Sequence, residues 1–301
     1  MDPIENITPA KDTTFGMMLS AANAGHRIFY IQHHNLYLRD DEAKAILHEI
    51  RVHDRDDVYF EIVEELDISL QDINKIFMRT DPPVDKRYIY ATQILEKAEK
   101  HGTMVINSPR SLRRYNEKLY ATEFPDLIPE TLMTANKQKI REFLDDHESI
   151  VLKPVGLMAG KEIFFLNQDD VNFDVICDIQ TIDGTYPAIA QPFLPEIKQG
   201  DRRLLVINGQ AYPLCMSRLP KTGSIRANLA AGGNYKIQEL SAREEYIASI
   251  VGPRLKKDGV LFAGLDIIGG KLIEINHTSP TGLREISREA GEDITYSLFD
   301  L

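Results

Sequence analysis

The chain has 301 residues, 43% hydrophobic and 27% charged, the composition of a globular protein with room for two or three domains. Its net charge of −11, from 35 basic and 46 acidic residues, argues against general nucleic-acid binding, which needs clustered Lys and Arg to displace counterions. Two distant cysteines, Cys177 and Cys215, exclude a disulfide framework and a Cys/His zinc site. No apolar run is long enough to span a bilayer, and MDPIENITPAKDTTFG has neither the basic start nor the apolar core of a signal peptide, so a cytoplasmic protein is expected.

Lys11 to Gly25 predicts a helix with Met17, Leu19 and Ala22 toward a core, and IFYIQ (28–32) predicts a strand. KIFMR (75–79) predicts another strand, followed by the turn TDPP. A helix over about 85–100 ends at Gly102, and TMVIN (103–107) is the next strand. Strand, helix and strand with short loops predict a parallel α/β layer. Such a layer usually begins with a strand, and none is legible before the first helix. Ser108-Pro109 starts a helical region expected to run through NEKLYATEF. A helix over 136–147 leads to two strand-like runs, SIVLKPV and EIFFLN, and then to YPAIAQPFLP, with a boundary near Pro195. RLLVI and QAYPLCMSRL flank an Asn208-Gly209 hairpin turn. A small-residue loop, KTGSIRANLAAGGN (221–234), precedes a long helix that Gly252-Pro253 should kink. The whole reads as three α/β units, the later two with antiparallel sheets.

VGLMAGKE (155–162) fails the P-loop pattern, since three residues separate its glycines, Glu162 replaces Ser/Thr, and a strand follows. It reads as a hairpin tip, for which a plain surface turn is the simplest account. Lys153 follows three apolar residues, Ile150 to Leu152, where lysine is uncommon unless paired. It either faces outward or contacts a phosphate. Lys118 in NEKL reads by itself as a helix-surface lysine. The adjacent His33 and His34 would face opposite ways on a strand and read as structural. Arg202 and Arg203 either bind an anion or are exposed. The loop 221–234 is either a disordered turn or a lid.

LDIIGGKLIEINHTSPTG (265–282) places Asp266, Glu274 and Asn276 in two apolar runs joined by a glycine pair. Glu274 and Asn276 share a strand face. A two-residue Gly269-Gly270 turn would set Asp266 opposite Ile273. A three-residue loop, Gly269 to Lys271, would pair Asp266 with Glu274. Spacing alone leaves a site for a hard cation and a solvated hairpin face equally open.

These segments resemble bacterial-type glutathione synthetase, a family of ATP-grasp ligases. The resemblance rests on MDPIENI, FMRTDPP, IYATQILEKAEKHGT, SLRRYNEKLYAT, GDRRLLVINGQ, RANLAAGG and GLDIIGGKLIEINHTSPTGLREI, in family order over nearly the whole chain. It implies an α/β ATP-grasp fold: a Rossmann-like N-terminal domain (1–114) and two antiparallel-sheet subdomains (115–195 and 196–301) that clasp ATP. It implies ligation of γ-glutamylcysteine with glycine to give glutathione, ADP and phosphate through an acyl phosphate, in a homotetramer. By the same resemblance Asp266, Glu274 and Asn276 hold Mg²⁺ or Mn²⁺, and Lys118, Lys153 and Gly160 meet phosphates. Gln191, Phe193 and Leu194 read adenine, and Asp201 contacts the ribose side. Arg79, Arg203 and Arg218 bind peptide carboxylates or the acyl phosphate, Ser279 and Thr281 contact the peptide, and Arg226 belongs to the lid. Two features depart from the family. The loop after Lys-Pro, usually Asp-Gly-x-Gly-Gly or close to it, is Gly156 to Gly160 with Leu157, Met158 and Ala159 between, and side chains there should weaken ATP binding. The family's leading apolar strand has no counterpart.

Overall fold

The computed structural model describes residues 1–55, 57–158, 160–221, 227 and 234–299. Ile4–Asn6 forms a 3-10 turn and α1 spans Thr13–Asn23. Asp12 caps α1 by accepting from the Phe15 N–H at 2.7 Å, satisfying a donor that the helix itself leaves free. Strands β1 (Ile28–Tyr30), β2 (Leu36–Arg39), β3 (Glu42–Val52) and β4 (Phe60–Ser69) build an antiparallel sheet around the long β3. Sequence patterning gave only β1 of these. His33 and His34 lie in a 3-10 turn rather than on a strand, and His33 Nε2 is 2.8 Å from the Thr80 hydroxyl.

β5 (Lys75–Phe77), α2 (Lys86–Lys100) and β6 (Met104–Ile106) form the expected parallel unit, with Asp85 capping α2. Among the described residues β5 pairs only with β6, and no strand precedes α1. A cavity of about 700 Å³ lies beside β5, between α1 and β1. The helix begun at Ser108 is shorter than its sequence suggests. α3 covers Pro109–Arg114, the chain then turns at Asn116–Leu119, and Tyr120–Glu123 is a separate 3-10 turn. The Asn116 side chain accepts from the Lys118 N–H at 3.0 Å, a local bond that competes with helix continuation.

The central sheet runs β7-β10-β8-β9 and comprises β7 (Leu132–Thr134), β8 (Ser149–Pro154), β9 (Phe164–Asn167) and β10 (Ala188–Pro192). α4 (Lys137–His147) and α5 (Phe173–Thr181) pack on it through Ile140, Phe143, Leu144, Phe173 and Cys177. β8 and β9 pair antiparallel, so the two strands form a hairpin. The C-terminal sheet runs β13-β12-β11-β14-β15. Its strands are β11 (Asp201–Ile207), β12 (Gln210–Leu219), β13 (Asn234–Glu239), β14 (Phe262–Ile268) and β15 (Lys271–Asn276). Asn208 and Gly209 both adopt positive φ in the β11–β12 turn, as a two-residue hairpin of this twist requires.

α6 (Ala242–Lys257) continues through Gly252 and Pro253 and starts with a Ser241/Glu244 capping box. It buries Ile247, Val251 and Leu255 against Leu204, Cys215, Leu265 and Leu272, all of them fully buried. α7 (Leu283–Ala290) closes a separate cluster with Leu205, Met216 and Phe262. The C-terminal sheet thus packs α6 against one cluster and α7 against another, and charged side chains of the central and C-terminal sheets line a cleft between them.

Candidate active site

A row of charged residues crosses the C-terminal sheet because of strand register alone. Asp201 pairs with Arg218 across β11 and β12, Arg203 with Asp266 across β11 and β14, and Asp266 with Glu274 across β14 and β15. Directly opposed residues project from the same face. Arg203 grips Asp266 with two bonds, Nε to Oδ1 at 2.5 Å and Nη2 to Oδ2 at 2.9 Å. Arg218 Nη2 bridges Asp201 Oδ2 at 2.5 Å and Asp266 Oδ2 at 2.9 Å. Gly264 leaves room for this crossing: a Cβ there would lie 2.8 Å from Arg203 Cδ.

The Asp266–Glu274 pairing arises by a route that neither simple loop provides. Gly269 and Gly270 form a two-residue turn at positive φ, with Ile268 opposite Lys271. A register shift after Asp266 then makes Ile273 an extra residue, so Glu274 faces Asp266. The three-residue loop is therefore replaced by a tight turn plus a β-bulge. The bulge keeps Leu272 and Ile275 fully buried while Ile273, Glu274 and Asn276 line the cleft.

Asn276 Nδ2 donates to Gly264 O at 3.3 Å and Asp266 Oδ2 at 3.1 Å. With the amide nitrogen spent on two acceptors, Oδ1 remains as an acceptor. Two carboxylates and an amide oxygen suit a hard cation that shares its shell with phosphate oxygens. No group of three or more His, Cys, Asp or Glu forms a fuller cage among the described residues. Asp201 Oδ1 and Arg218 Nε are buried without a hydrogen-bond partner. Orphaned polar groups beside a cleft mark places where a polar ligand would complete the bonding.

The opposite wall comes from the central sheet and the turn after α3. Lys153 is only 5% exposed, and burial pulls its amine down to about 8, with Glu274 partly opposing. Lys118 is not on a helix surface. Its Nζ donates to Leu157 O at 2.5 Å and lies 3.4 Å from Glu274 Oε1. Burial raises the Asp201 carboxyl to about 6, against the pull of Arg218, whereas two guanidiniums outweigh burial at Asp266 and hold it well below the ordinary range.

Lys118, Lys153, Gly160, Gln191, Phe193, Leu194, Asp201, Arg203 and Arg218 line one cleft of about 400 Å³ together with Asp266, Glu274, Asn276, Ser279 and Thr281. Gln191 donates to the Thr131 hydroxyl at 2.9 Å, and the Phe193 N–H to Ser149 O at 3.0 Å, which fixes the edge where β10 leaves the sheet. Arg79 is placed elsewhere. It lines the cavity beside β5, donates to the Thr14 hydroxyl and to Pro280 O, and has Nη1 buried without a partner. Arg226 and most of loop 221–234 lie outside the described residues, although Ala227 lines the cleft. Arg202 pairs with Glu244 instead of an anion.

Among the cleft residues that sequence reading missed are Asp81, Glu117 and Thr278. Asp81 had been absorbed into a turn, and burial raises its carboxyl. Glu117 had been absorbed into a supposed helix face. For Glu117 and Thr278 the only sequence signal was proximity to Lys118 and Asn276.

Two family models match the chain: the prokaryotic glutathione synthetase N-terminal domain over residues 1–113 and the prokaryotic glutathione synthetase ATP-grasp domain over residues 117–291. Glutathione synthetase of Escherichia coli strain K12 is 45% identical over 300 residues, covering 100% of this chain and 95% of that protein. That of Salmonella typhi is 46% identical with the same coverage. A RiPP-associated ATP-grasp ligase of Chryseobacterium gregarium, solved with ADP and a leader and core peptide, superposes with a TM-score of 0.62 at 16% identity. It covers 98% of this chain and 93% of its own, a likeness of fold alone. With both regions matched and near-half identity along its full length, the chain belongs to the prokaryotic glutathione synthetase family.

Proposed function

We propose that this protein is an ATP-dependent ligase that joins γ-glutamylcysteine to glycine. A carboxylate oxygen of the cysteinyl residue attacks the terminal phosphorus of ATP, and the bond to the ADP oxygen breaks. The amine of glycine then attacks the acyl carbon, phosphate leaves with the bonding pair, and the amine loses a proton. A carboxylate is a poor electrophile until it carries such a leaving group, and phosphoryl transfer depends mainly on positioning and charge neutralisation.

The observation that carries the reading is the cross-strand row Arg218–Asp201, Arg203–Asp266–Glu274 facing Lys118 and Lys153 across one cleft. Asp266, Glu274 and Asn276 would hold Mg²⁺ or Mn²⁺, which would supply positive charge to neutralise the phosphates. Lys118, Lys153 and the Gly160 loop hold the phosphates. Gln191, Phe193 and Leu194 hold adenine, and Asp201 offers its unpaired oxygen to the ribose. Arg203 and Arg218 place positive charge where the acyl phosphate forms. Ser279 and Thr281 bind the peptide. Arg79 acts on the peptide through Pro280, whose carbonyl it holds at 2.9 Å. Residues 221–234, with Arg226, form the lid that keeps water from the acyl phosphate. Residues 1–114, 115–195 and 196–301 serve as the three domains.

Phosphate release with γ-glutamylcysteine plus glycine at saturating Mg·ATP tests the reaction, and absence of turnover rejects it. Glu274→Gln is expected to abolish turnover while leaving the circular dichroism spectrum and melting temperature intact. An unchanged rate would remove Glu274 from the metal site. A panel of other carboxylate and amine substrates tests the peptide assignment.

No helix among the described residues is long and apolar enough to cross a membrane, and a cytoplasmic location belongs to this reading. So does a homotetramer. Val175, Ile179 and Ile182 are each more than half exposed along the outer side of α5 and its end, apolar surface of the kind that subunit contacts cover. Sedimentation velocity reads the assembly, and a monomer at micromolar concentration contradicts it.

A further inference from the structure

We infer that Glu117 is the positioning residue for the metal strand: its carboxylate sets the backbone between Asn276 and Ser279. The inference rests on the metal-site reading above.

The residue holds β15 and the segment that follows it. Its carbonyl oxygen accepts from the Ile275 N–H at 2.9 Å. Its Oε1 accepts from the His277 N–H at 2.9 Å, the Thr278 N–H at 3.0 Å and the Thr278 hydroxyl at 2.7 Å. The backbone from 275 to 278 is thus tied to one glutamate more than 150 positions earlier. Asn276 lies inside that tied segment and Ser279 directly follows it. The chain has left the sheet by His277, since β15 ends at Asn276. Among the described residues no ladder partner holds 277 and 278 there, and the Glu117 carboxylate takes that place. An anion bound by successive N–H groups is a strong and directional anchor.

The same residue ties the two walls together. Lys118, its neighbour, reaches Leu157 O and stands 3.4 Å from Glu274 Oε1. One short segment therefore fixes a phosphate-contacting lysine and the strand carrying two metal ligands. Loss of the carboxylate frees the peptide planes after Asn276, so the amide oxygen no longer rests where a cation needs it. A carboxamide in its place still offers one oxygen acceptor to the same N–H groups. The role is geometric, so the conservative variant should retain it.

The experiment compares Glu117→Ala, Glu117→Gln and Glu274→Gln with the parent protein. It reads Mg·ATP affinity by calorimetry, half-saturating Mg²⁺ and kcat in turnover, and melting temperature. Glu117→Ala is expected to raise the Mg·ATP Kd and half-saturating Mg²⁺ by about tenfold, the scale for removing an outer partner of a metal ligand. Glu117→Gln is expected to restore both to within about threefold. If Glu117→Ala does not fold, Thr278→Val removes one of the three side-chain bonds and should raise the same Kd by a smaller factor. A lowered melting temperature with unchanged Mg·ATP affinity and half-saturating Mg²⁺ overturns the inference. Equal losses in Glu117→Gln and Glu117→Ala overturn it too, because the charge would then matter rather than the position. Unaltered metal dependence in Glu274→Gln overturns the underlying metal reading; normal loss there, with no effect at Glu117, overturns this inference alone.

Discussion

Lys153 carries a pH dependence that follows from its burial. In the ligand-free protein its amine titrates near 8, because desolvation disfavours the charged form. A bound triphosphate favours that form, so binding above pH 8 takes up a proton. Mg·ATP affinity should fall as pH rises from 8 toward 10.5, by at most about tenfold per unit. Calorimetry in buffers of different ionisation enthalpy reads the uptake directly. Lys153→Arg stays charged throughout, and uptake that persists there would place the proton elsewhere. The sign for stability is opposite: the unfolded lysine binds more protons across that window, so ligand-free stability rises with pH. Leu157 gives a second prediction. Its carbonyl holds Lys118 and its side chain lines the cleft, so Leu157→Gly should lower the ATP Kd by letting backbone amides approach phosphate; a higher Kd counts against that account. At this scale the sequence showed the residues whose type is unusual for their surroundings, such as a lysine after three apolar residues. It hid Glu117, a glutamate in a polar stretch whose donors lie 160 positions away.

Elements were legible where burial is one-sided and regular. β3 buries Ala43, Ala45 and Leu47 at period two, but a register shift at Glu49 then brings Ile50 inward. β4 has no consistently buried face, with Glu61, Ile62, Val63, Glu64 and Glu65 all exposed. A strand without alternation leaves no period to read. The bulge at Ile273 was hidden for the same reason, since one extra residue breaks the period that would reveal the strand. Gly252, by contrast, was legible as an oddity but not for its purpose. It lets α6 lie directly on the β11–β12 turn: a Cβ at Gly252 would stand 2.1 Å from Gly209 O and 2.9 Å from Gly209 C. Both neighbours are backbone, so helix and hairpin must separate to admit a methyl group. Gly252→Ala should lose about 1–3 kcal/mol net through overpacking, despite the roughly 1 kcal/mol that alanine gains in a helix. Urea unfolding measures the difference, and a variant as stable as the parent would show that the contact relaxes freely.

Over the whole molecule, one side chain makes four of the hydrogen bonds that join the N-terminal region to the C-terminal region. Asn107 follows β6 and is 4% exposed. Its Oδ1 accepts from the Leu261 N–H at 2.8 Å and the Phe262 N–H at 2.9 Å. Its Nδ2 donates to Phe262 O and His277 O, each at 2.7 Å. Two backbone donors face one end of the amide and two backbone acceptors face the other, so only a carboxamide satisfies all four. The architecture of the two later sheets could be anticipated from local runs and turns, but this joint could not, because it depends on chain segments 150 positions apart. Asn107→Leu strands four backbone groups, and a loss of about 3 kcal/mol or more is expected at roughly 1–3 kcal/mol for each group that stays dry. Asn107→Asp separates hydrogen bonding from packing. Its carboxylate keeps the two acceptor bonds but turns an anion toward two carbonyl oxygens, which raises its pKa above that of the unfolded chain. A group shifted that way binds more protons when folded, so stability falls as pH rises through its range. The deficit of Asn107→Asp should therefore shrink as pH is lowered toward 4, because the protonated acid can donate to one of the carbonyls, while that of Asn107→Leu stays constant. Urea midpoints at several pH values distinguish the two, and parallel pH profiles would mean that the joint depends on shape rather than on its four hydrogen bonds.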